Sequence, residues 1–209
     1  MTDSSRSIVF VVDDDHSVRS SVARLLQSSG FEVQTFASAT DYLDQIAPDA
    51  LGCLLLDLRM PGIDGLELQE RLLRGGTARP IIFLTGRGTV PESVAAMKAG
   101  ATDFLQKPAD PEELVRAVRI AIETDRVRRR EMEEMAAIEH RVATLTPRER
   151  EVFERVVQGR LNKQIAHELG VSEKTVKVHR GRVMEKMQTA SLADLARLAE
   201  RLGIGAPPA

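Results

Sequence analysis

Five side chains spread over 95 positions have the chemistry of a single pocket: Asp13, Asp14, Asp57, Thr85 and Lys107. Three carboxylates held close together repel, so such a cluster must hold a cation, hold a proton or stay solvated. All-oxygen ligands suit Mg2+ or Mn2+. A bound cation of that kind offsets the charge of an incoming phosphoryl group. A carboxylate can itself be a nucleophile and form an acyl phosphate, and Asp57 is the candidate for that role. Lys107 supplies a compact positive charge for a phosphoryl oxygen, and Thr85 a hydroxyl donor able to turn toward it. Taken singly, each residue has a plainer explanation. Adjacent aspartates after a strand are loop acids, a lysine before proline is a surface residue, and Thr-Gly is a turn. Asp15 is read as a further loop acid or a helix N-cap. What raises the five above that background is that each ends a strand.

The elements that would position them are short and regular. Ile8 to Val12 is a β-branched run that stops at Asp13. Gly52 to Leu56 is an apolar run that ends at Asp57 and is broken by Met60-Pro61-Gly62. Runs of this kind, bounded by turn formers, read as buried parallel strands. Phe31 to Phe36, Pro80 to Thr85 and Asp103 to Lys107 supply three more strands. Between them lie helical patterns: Val18, Val22, Leu25 and Leu26 up to Gly30; Ala39 to Ala47, closed near Pro48; Leu66, Leu68, Leu72 and Leu73; Pro91 to Ala99; and a helix from Pro111. Five β-α repeats argue a parallel sheet with helices on both faces. Right-handed crossovers place every strand's carboxyl end on one edge, where α/β sheets gather ligands.

On those residues the front of the chain, 8–125, resembles the receiver domain of two-component response regulators. The matching segments are Val-Val-Asp13-Asp14-Asp15, Leu-Leu-Leu-Asp57-Leu-Arg-Met-Pro-Gly, Phe-Leu-Thr85-Gly and Phe104-Leu-Gln-Lys107-Pro108. The resemblance implies that Asp13 and Asp14 bind Mg2+ and that a sensor histidine kinase phosphorylates Asp57. It implies that Arg59 gives a backbone carbonyl to the metal and that Thr85 and Lys107 bind the phosphoryl group. Phe104 would change rotamer on activation, although core packing alone would also explain it. Lys107-Pro108 is expected to be cis.

From Glu112 to Thr146 there is neither glycine nor proline, so the fifth helix is expected to run on as a linker. Val115, Val118 and Ile122 follow a 3,4 spacing, as do Met135, Ile138, Val142 and Leu145. Either a two-chain coiled coil at the two ends or a solvated helix fits that pattern. Thr146-Pro147-Arg148-Glu149 is then a capping box that opens a new domain. Asn162 to Leu169, Gly170 and Ser172 to Met187 read as helix, tight turn, helix, with Asn162 and Ser172 as caps. Val176 and Val183 face a core, which leaves Lys174, Thr175, Lys177, Val178, His179 and Arg182 on exposed arcs. In a helix-turn-helix the second helix enters the major groove. Lys and Arg then meet phosphates or guanine edges, and Thr and Val methyls meet thymine. Residues 145–202 resemble the LuxR-type DNA-binding domain. That resemblance adds Lys163 near the DNA backbone and makes Ser191 to Leu202 a dimer surface. The tail from Gly203 to Ala209 is expected to be disordered.

The expected fold class is therefore α/β: a five-stranded, parallel, doubly wound receiver domain (1–122), a long helical linker (123–143) and an all-α four-helix helix-turn-helix domain (144–209). Charge divides accordingly. The chain is 209 residues with a net charge of −2. Residues 1–125 carry 12 Lys/Arg against 19 Asp/Glu, whereas 140–209 carry 13 against 8, a basic balance suited to nucleic acid. The single Cys53 excludes an internal disulfide. No run approaches the roughly 20 apolar residues of a spanning helix, so a cytoplasmic protein without a membrane partner is expected. A haloacid-dehalogenase-type phosphatase would need an aspartate two residues after Asp57, where Arg59 stands. A dinucleotide site would need G-x-G-x-x-G after the first strand, and Gly86-Arg87-Gly88 is incomplete and misplaced. A DNA-binding protein with an inert front domain is the remaining alternative. The two resemblances together indicate a LuxR/FixJ-type response regulator that is no enzyme. Its partners would be a histidine kinase, double-stranded promoter DNA, RNA polymerase, and a second copy of itself once phosphorylated.

Overall fold

The computed structural model describes residues 7–45, 50–77, 79–86 and 88–204. The first compact unit spans 1–129 and the second 130–209. The first alternates β1 (Ile8–Val12), α1 (His16–Ser28), β2 (Glu32–Phe36), α2 (Ala39–Gln45), β3 (Gly52–Leu56), α3 (Gly65–Arg74), β4 (Ile81–Thr85), α4 (Val90–Lys98) and β5 (Asp103–Gln106), and then enters α5 (Pro111–Ala143). The expected end of the second helix, Ala47 and Pro48, lies outside the described residues. All strand pairs are parallel, in the order β2-β1-β3-β4-β5. The chain leaves β1 for one neighbour and later returns to the other, so the β1/β3 boundary is the switch point where such sheets bind ligands.

Alternation along the strands divides the core in two. Phe10, Val12, Leu54, Leu56, Ile81 and Phe83 face Tyr42, Leu68, Leu72 and Ala96. Val9, Val11, Cys53, Leu55, Ile82 and Leu84 face Leu26, Leu114, Val118 and Ala121. Most of these side chains are fully buried, and each buried valine, leucine, isoleucine or phenylalanine contributes about 1.5–3 kcal/mol of apolar burial. Because both faces are covered, the three central strands β1, β3 and β4 read as nearly unbroken apolar runs, whereas the edge strands β2 and β5 carry polar residues. Gly52 is fixed by geometry: its φ is +150°, and a Cβ there would lie 1.8 Å from the Ile8 carbonyl oxygen. Its N–H donates to Asp125 Oδ2 at 3.0 Å. Asp125 is fully buried on α5 and is paired with Arg128 at 2.5 Å and Arg129 at 2.8 Å. Burial raises its carboxyl, but those two cations and the Gly52 N–H outweigh that effect and hold it below the ordinary value.

The helix expected as a linker over 123–143 straddles the division at 129/130. Its apolar positions are taken up at both ends. Val118 and Ile122 are buried in the first unit's core, with Val115 packed against it; Ile138, Val142 and Leu145 are buried in the second unit's core, with Met135 against it. Five of those seven residues are thus buried within the two units, and Val115 and Met135 pack against the same cores. In the second unit the tail of α5 packs with α6 (Pro147–Val157), α7 (Asn162–Leu169), α8 (Glu173–Lys186) and α9 (Leu192–Arg201) around Val152, Phe153, Ile165, Val176, Val183 and Leu195. Of the tail expected to be disordered, Gly203 and Ile204 are ordered. The Ile204 N–H donates to Ala199 O at 2.8 Å and its side chain packs against the core. Residues 205–209 lie outside the described residues.

Candidate phosphoryl-accepting pocket and helix-turn-helix

Parallel register brings the five strand-end residues to one edge. Leu56 pairs with Val12 and with Phe83, so Asp13 and Asp57 each step off neighbouring strands at the same level. One carboxylate oxygen from each of Asp13, Asp14 and Asp57 lies within 4.8 Å of the others. Asp13 and Asp57 are buried, and Asp14 is exposed. Lys107 reaches across from β5 and donates to Asp13 Oδ2 at 2.6 Å and to Asp57 Oδ2 at 2.9 Å. Burial pushes the Asp13 carboxyl up, and the neighbouring Asp57 adds to that, with Lys107 only partly opposing. Burial draws the Lys107 ammonium down, but its bonds to the two carboxylates outweigh it and the net shift is upward. The pocket therefore places a held cation beside carboxylates that gain from further positive charge. An all-oxygen donor set of this spacing fits Mg2+ or Mn2+.

Thr85 is buried at the end of β4, and its carbonyl accepts from the Lys107 N–H at 2.8 Å. Phe104 is half-buried and its ring lies 6.0 Å from that of Phe83. Lys107-Pro108 is cis. The Arg59 N–H lies 3.4 Å from Asp57 Oδ1, while its guanidinium pairs with Glu92. Arg87, within the expected Thr-Gly-Arg-Gly loop, lies outside the described residues.

Several contributors escape a reading of the sequence. Arg19, on α1, donates to the carbonyl oxygens of Asp13 at 2.5 Å and Asp14 at 3.3 Å, which clamps the loop that carries both acids. Asp15, by contrast, takes the helix N-cap role that the sequence allowed it, accepting from the Ser17 and Val18 N–H groups at the start of α1. Gly88 lies so close to the pocket that a Cβ there would sit 2.6 Å from Phe104 Cζ and 2.8 Å from Thr85 Cγ2. Spacing alone identified Gly88 only as part of an incomplete glycine pattern.

In the second unit, Thr146 and Glu149 form the expected capping box. Gly170 turns with φ +64°, and Ser172 caps α8 by accepting from the Thr175 N–H at 3.1 Å. Asn162 is not the cap of α7. That position falls to Leu161, whose N–H donates to Gln164 Oε1 at 2.9 Å, while Asn162 accepts from Arg180 at 3.0 Å. On α8, Lys174, Lys177, Val178 and Arg182 are exposed and share one face, and Lys163 is exposed on α7. Val176 and Val183 are buried as expected. Thr175 and His179 are only half-exposed: Thr175 Oγ1 bonds Ser172 Oγ at 2.8 Å, and His179 Nδ1 is buried without a hydrogen-bond partner. Glu149 is 2% exposed, pairs with Lys186 at 2.6 Å and accepts from the Thr146 N–H. Those bonds push its carboxyl down to about 2.

Residues 9–119 match the family described as response regulator receiver domain, and residues 143–199 match bacterial regulatory proteins of the luxR family. The chain is 49% identical to nodulation protein W of Bradyrhizobium diazoefficiens over 203 residues, 97% of this chain and 89% of that protein. It is 45% identical to the transcriptional regulatory protein FixJ of Azorhizobium caulinodans over 94% of this chain and 93% of that one. Among solved structures, the response regulator StyR aligns with a TM-score of 0.86 at 45% identity, covering 94% of this chain and all of that one. Full-length FixJ from B. japonicum aligns with a TM-score of 0.58 at 42% identity, covering 94% and 97%. Among the described residues no helix is long and apolar enough to cross a membrane. Receiver domains of this kind bind Mg2+ through an acidic cluster, and such a cluster is formed here by Asp13, Asp14 and Asp57. The chain belongs to the two-component response regulators, transcriptional regulators that join a receiver domain to a LuxR-type helix-turn-helix DNA-binding domain.

Proposed function

We propose that the protein is a cytoplasmic transcription factor switched by phosphorylation of Asp57 by a cognate histidine kinase. The observation that carries this reading is the placement of Asp57 between two acids and the Lys107 ammonium. A carboxylate oxygen of Asp57 attacks the donor's phosphorus; the new P–O bond forms as the bond to the donor imidazole nitrogen breaks, and the leaving group keeps the electron pair. Asp13, Asp14, Asp57 and the Arg59 backbone carbonyl would hold Mg2+, which supplies charge neutralisation at the phosphoryl oxygens. Lys107 moves its bonds from the carboxylates to a phosphoryl oxygen, and the Thr85 hydroxyl donates to another. Phe104 then repacks, and the surface of α4, β5 and α5 becomes self-complementary. Val90, Val94 and Met97 already stand exposed on α4.

Dimerisation pairs two copies of α8 on a two-fold promoter site. Lys174, Lys177, Val178 and Arg182 are the base- and phosphate-facing set, Thr175 and His179 flank it, and Lys163 meets the backbone. RNA polymerase is the downstream partner. The test is incubation with acetyl phosphate and Mg2+, followed by intact mass, sedimentation and binding to duplex selected from a random pool. One added phosphoryl group, lost in Asp57→Asn, with tighter self-association and DNA binding is expected. A phosphorylated chain with unchanged association and DNA affinity would sink the switch.

A further inference from the structure

Glu92 divides its carboxylate between two partners. Oε1 accepts from the Arg59 guanidinium, and Oε2 accepts from both the Thr89 N–H and the Thr89 hydroxyl at 2.8 Å each. The Thr89 contacts are the acidic half of a capping box at the start of α4. A single carboxylate thus joins the first turn of α4 to the loop that follows Asp57. Arg59 begins beside the phosphoacceptor, its N–H 3.4 Å from Asp57 Oδ1. Its side chain is 61% exposed and that of Glu92 18%, so the pair sits at the surface, where such bridges are weak and exchange readily. A phosphoryl group brings nearly twice the charge of a carboxylate and three strong acceptor oxygens. The planar guanidinium fork matches phosphate geometry in a way that a lysine does not.

We propose that Glu92 is a latch: it holds the Arg59 side chain away from the unphosphorylated pocket and yields it to the phosphoryl oxygens on Asp57, which loosens the first turn of α4. This assigns the Arg59 side chain a phosphoryl-binding role separate from that of its backbone carbonyl, and it rests on Asp57 being the phosphoacceptor. α4 is the element whose exposed face carries Val90, Val94 and Met97, so the exchange links pocket chemistry to that apolar stripe without passing through Thr85 or Phe104.

The full chain is titrated with beryllofluoride, a stable phosphoryl mimic, in the presence of Mg2+, and binding is followed by fluorine NMR. Glu92→Gln keeps a side chain able to cap α4 but removes the ion pair. It is expected to tighten beryllofluoride binding about two- to five-fold, the range set by one exposed pair. Arg59→Gln is expected to weaken it, and Glu92→Gln is expected to change nothing further in that background. In hydrogen exchange, the α4 amides from residue 92 to 94 should exchange faster with beryllofluoride in the unmodified chain and not in Arg59→Gln. Additive effects of the two substitutions, or weaker binding by Glu92→Gln alone, would overturn the latch. Asp57→Asn separates the two levels: undiminished binding there overturns the phosphoacceptor reading itself, whereas lost binding there with additive double substitutions overturns only the latch.

Discussion

At the scale of single residues, the pocket is an electrostatic balance in which Lys107 stands against three acids. Its side chain is 16% exposed, and those of Asp13 and Asp57 are 4% and 11% exposed, so their attraction is poorly screened. Removing the cation leaves two buried carboxylates facing each other. Lys107→Ala is therefore expected to lower the stability of the first unit by about 1–3 kcal/mol at neutral pH, less than a fully buried pair would cost. Millimolar Mg2+ should restore part of that loss by replacing the missing charge, whereas in the unmodified chain it should add less. Thermal unfolding with and without MgCl2 measures both. Equal stabilisation of the two forms by Mg2+ would mean that the acids are solvated independently of the lysine.

At the scale of elements, ends matter more than interiors. β3 enters the sheet through Gly52, where a side chain would collide with β1's backbone and the buried Asp125 holds the N–H. Gly52→Ala is expected to cost more than about 3 kcal/mol, because neither strained backbone nor a 1.8 Å contact can relax without parting two central strands. Chemical denaturation of the variant would report it. The start of α6 is tied to the end of α8 through Glu149, whose partners are Lys186 and the Thr146 N–H. Its carboxyl is held at about 2 in the folded chain against an ordinary 4.5. That lowered value stabilises the second unit fully above pH 4.5, and the contribution fades as pH falls toward 2. Circular dichroism of residues 130–209 between those pH values should show acid unfolding at higher pH in Glu149→Gln, which lacks the contribution throughout.

At the scale of the whole molecule, one helix serves two cores. The last turns of α5 place Ile138 and Val142 in the interior of the second unit, and Arg141 donates to the Met187 carbonyl at the end of α8. Lys186 returns the contact by donating to Thr144 O. Residues 130–142 lie outside the segment matched to the luxR family, 143–199, yet pack as part of the same unit. A fragment of residues 130–209 should therefore melt cooperatively, and one of 144–209 should melt at markedly lower temperature. Within the longer fragment Ile138→Ala is expected to cost about 2–4 kcal/mol, the price of a buried branched side chain and the cavity it leaves. Equal melting of the two fragments would show that the helix end is dispensable.

Much of this was legible in the residues alone because it is local chemistry. Apolar runs stopping at Asp13 and Asp57, a glycine in the left-handed turn at Gly170, the capping box at Thr146 and the serine cap at Ser172 each depend on neighbours a few positions away. Spacing therefore reveals them. That Thr85 and Lys107 share one sheet edge with Asp13 and Asp57 was also legible, since parallel crossovers oblige strand ends to share an edge. What tertiary structure alone decided are pairings with no local signature. Nothing in the spacing of Arg59 and Glu92, 33 positions apart, marks them as partners. Asp125 looked like one more acid in a charged stretch, and only folding brought it to Gly52, 73 positions earlier. The 3,4 spacing in α5 announced an apolar stripe but not its occupant. A stripe is equally satisfied by a second helix or by a domain core, and the burial of Val118, Ile122, Ile138, Val142 and Leu145 in the two cores is visible only in the packed structure.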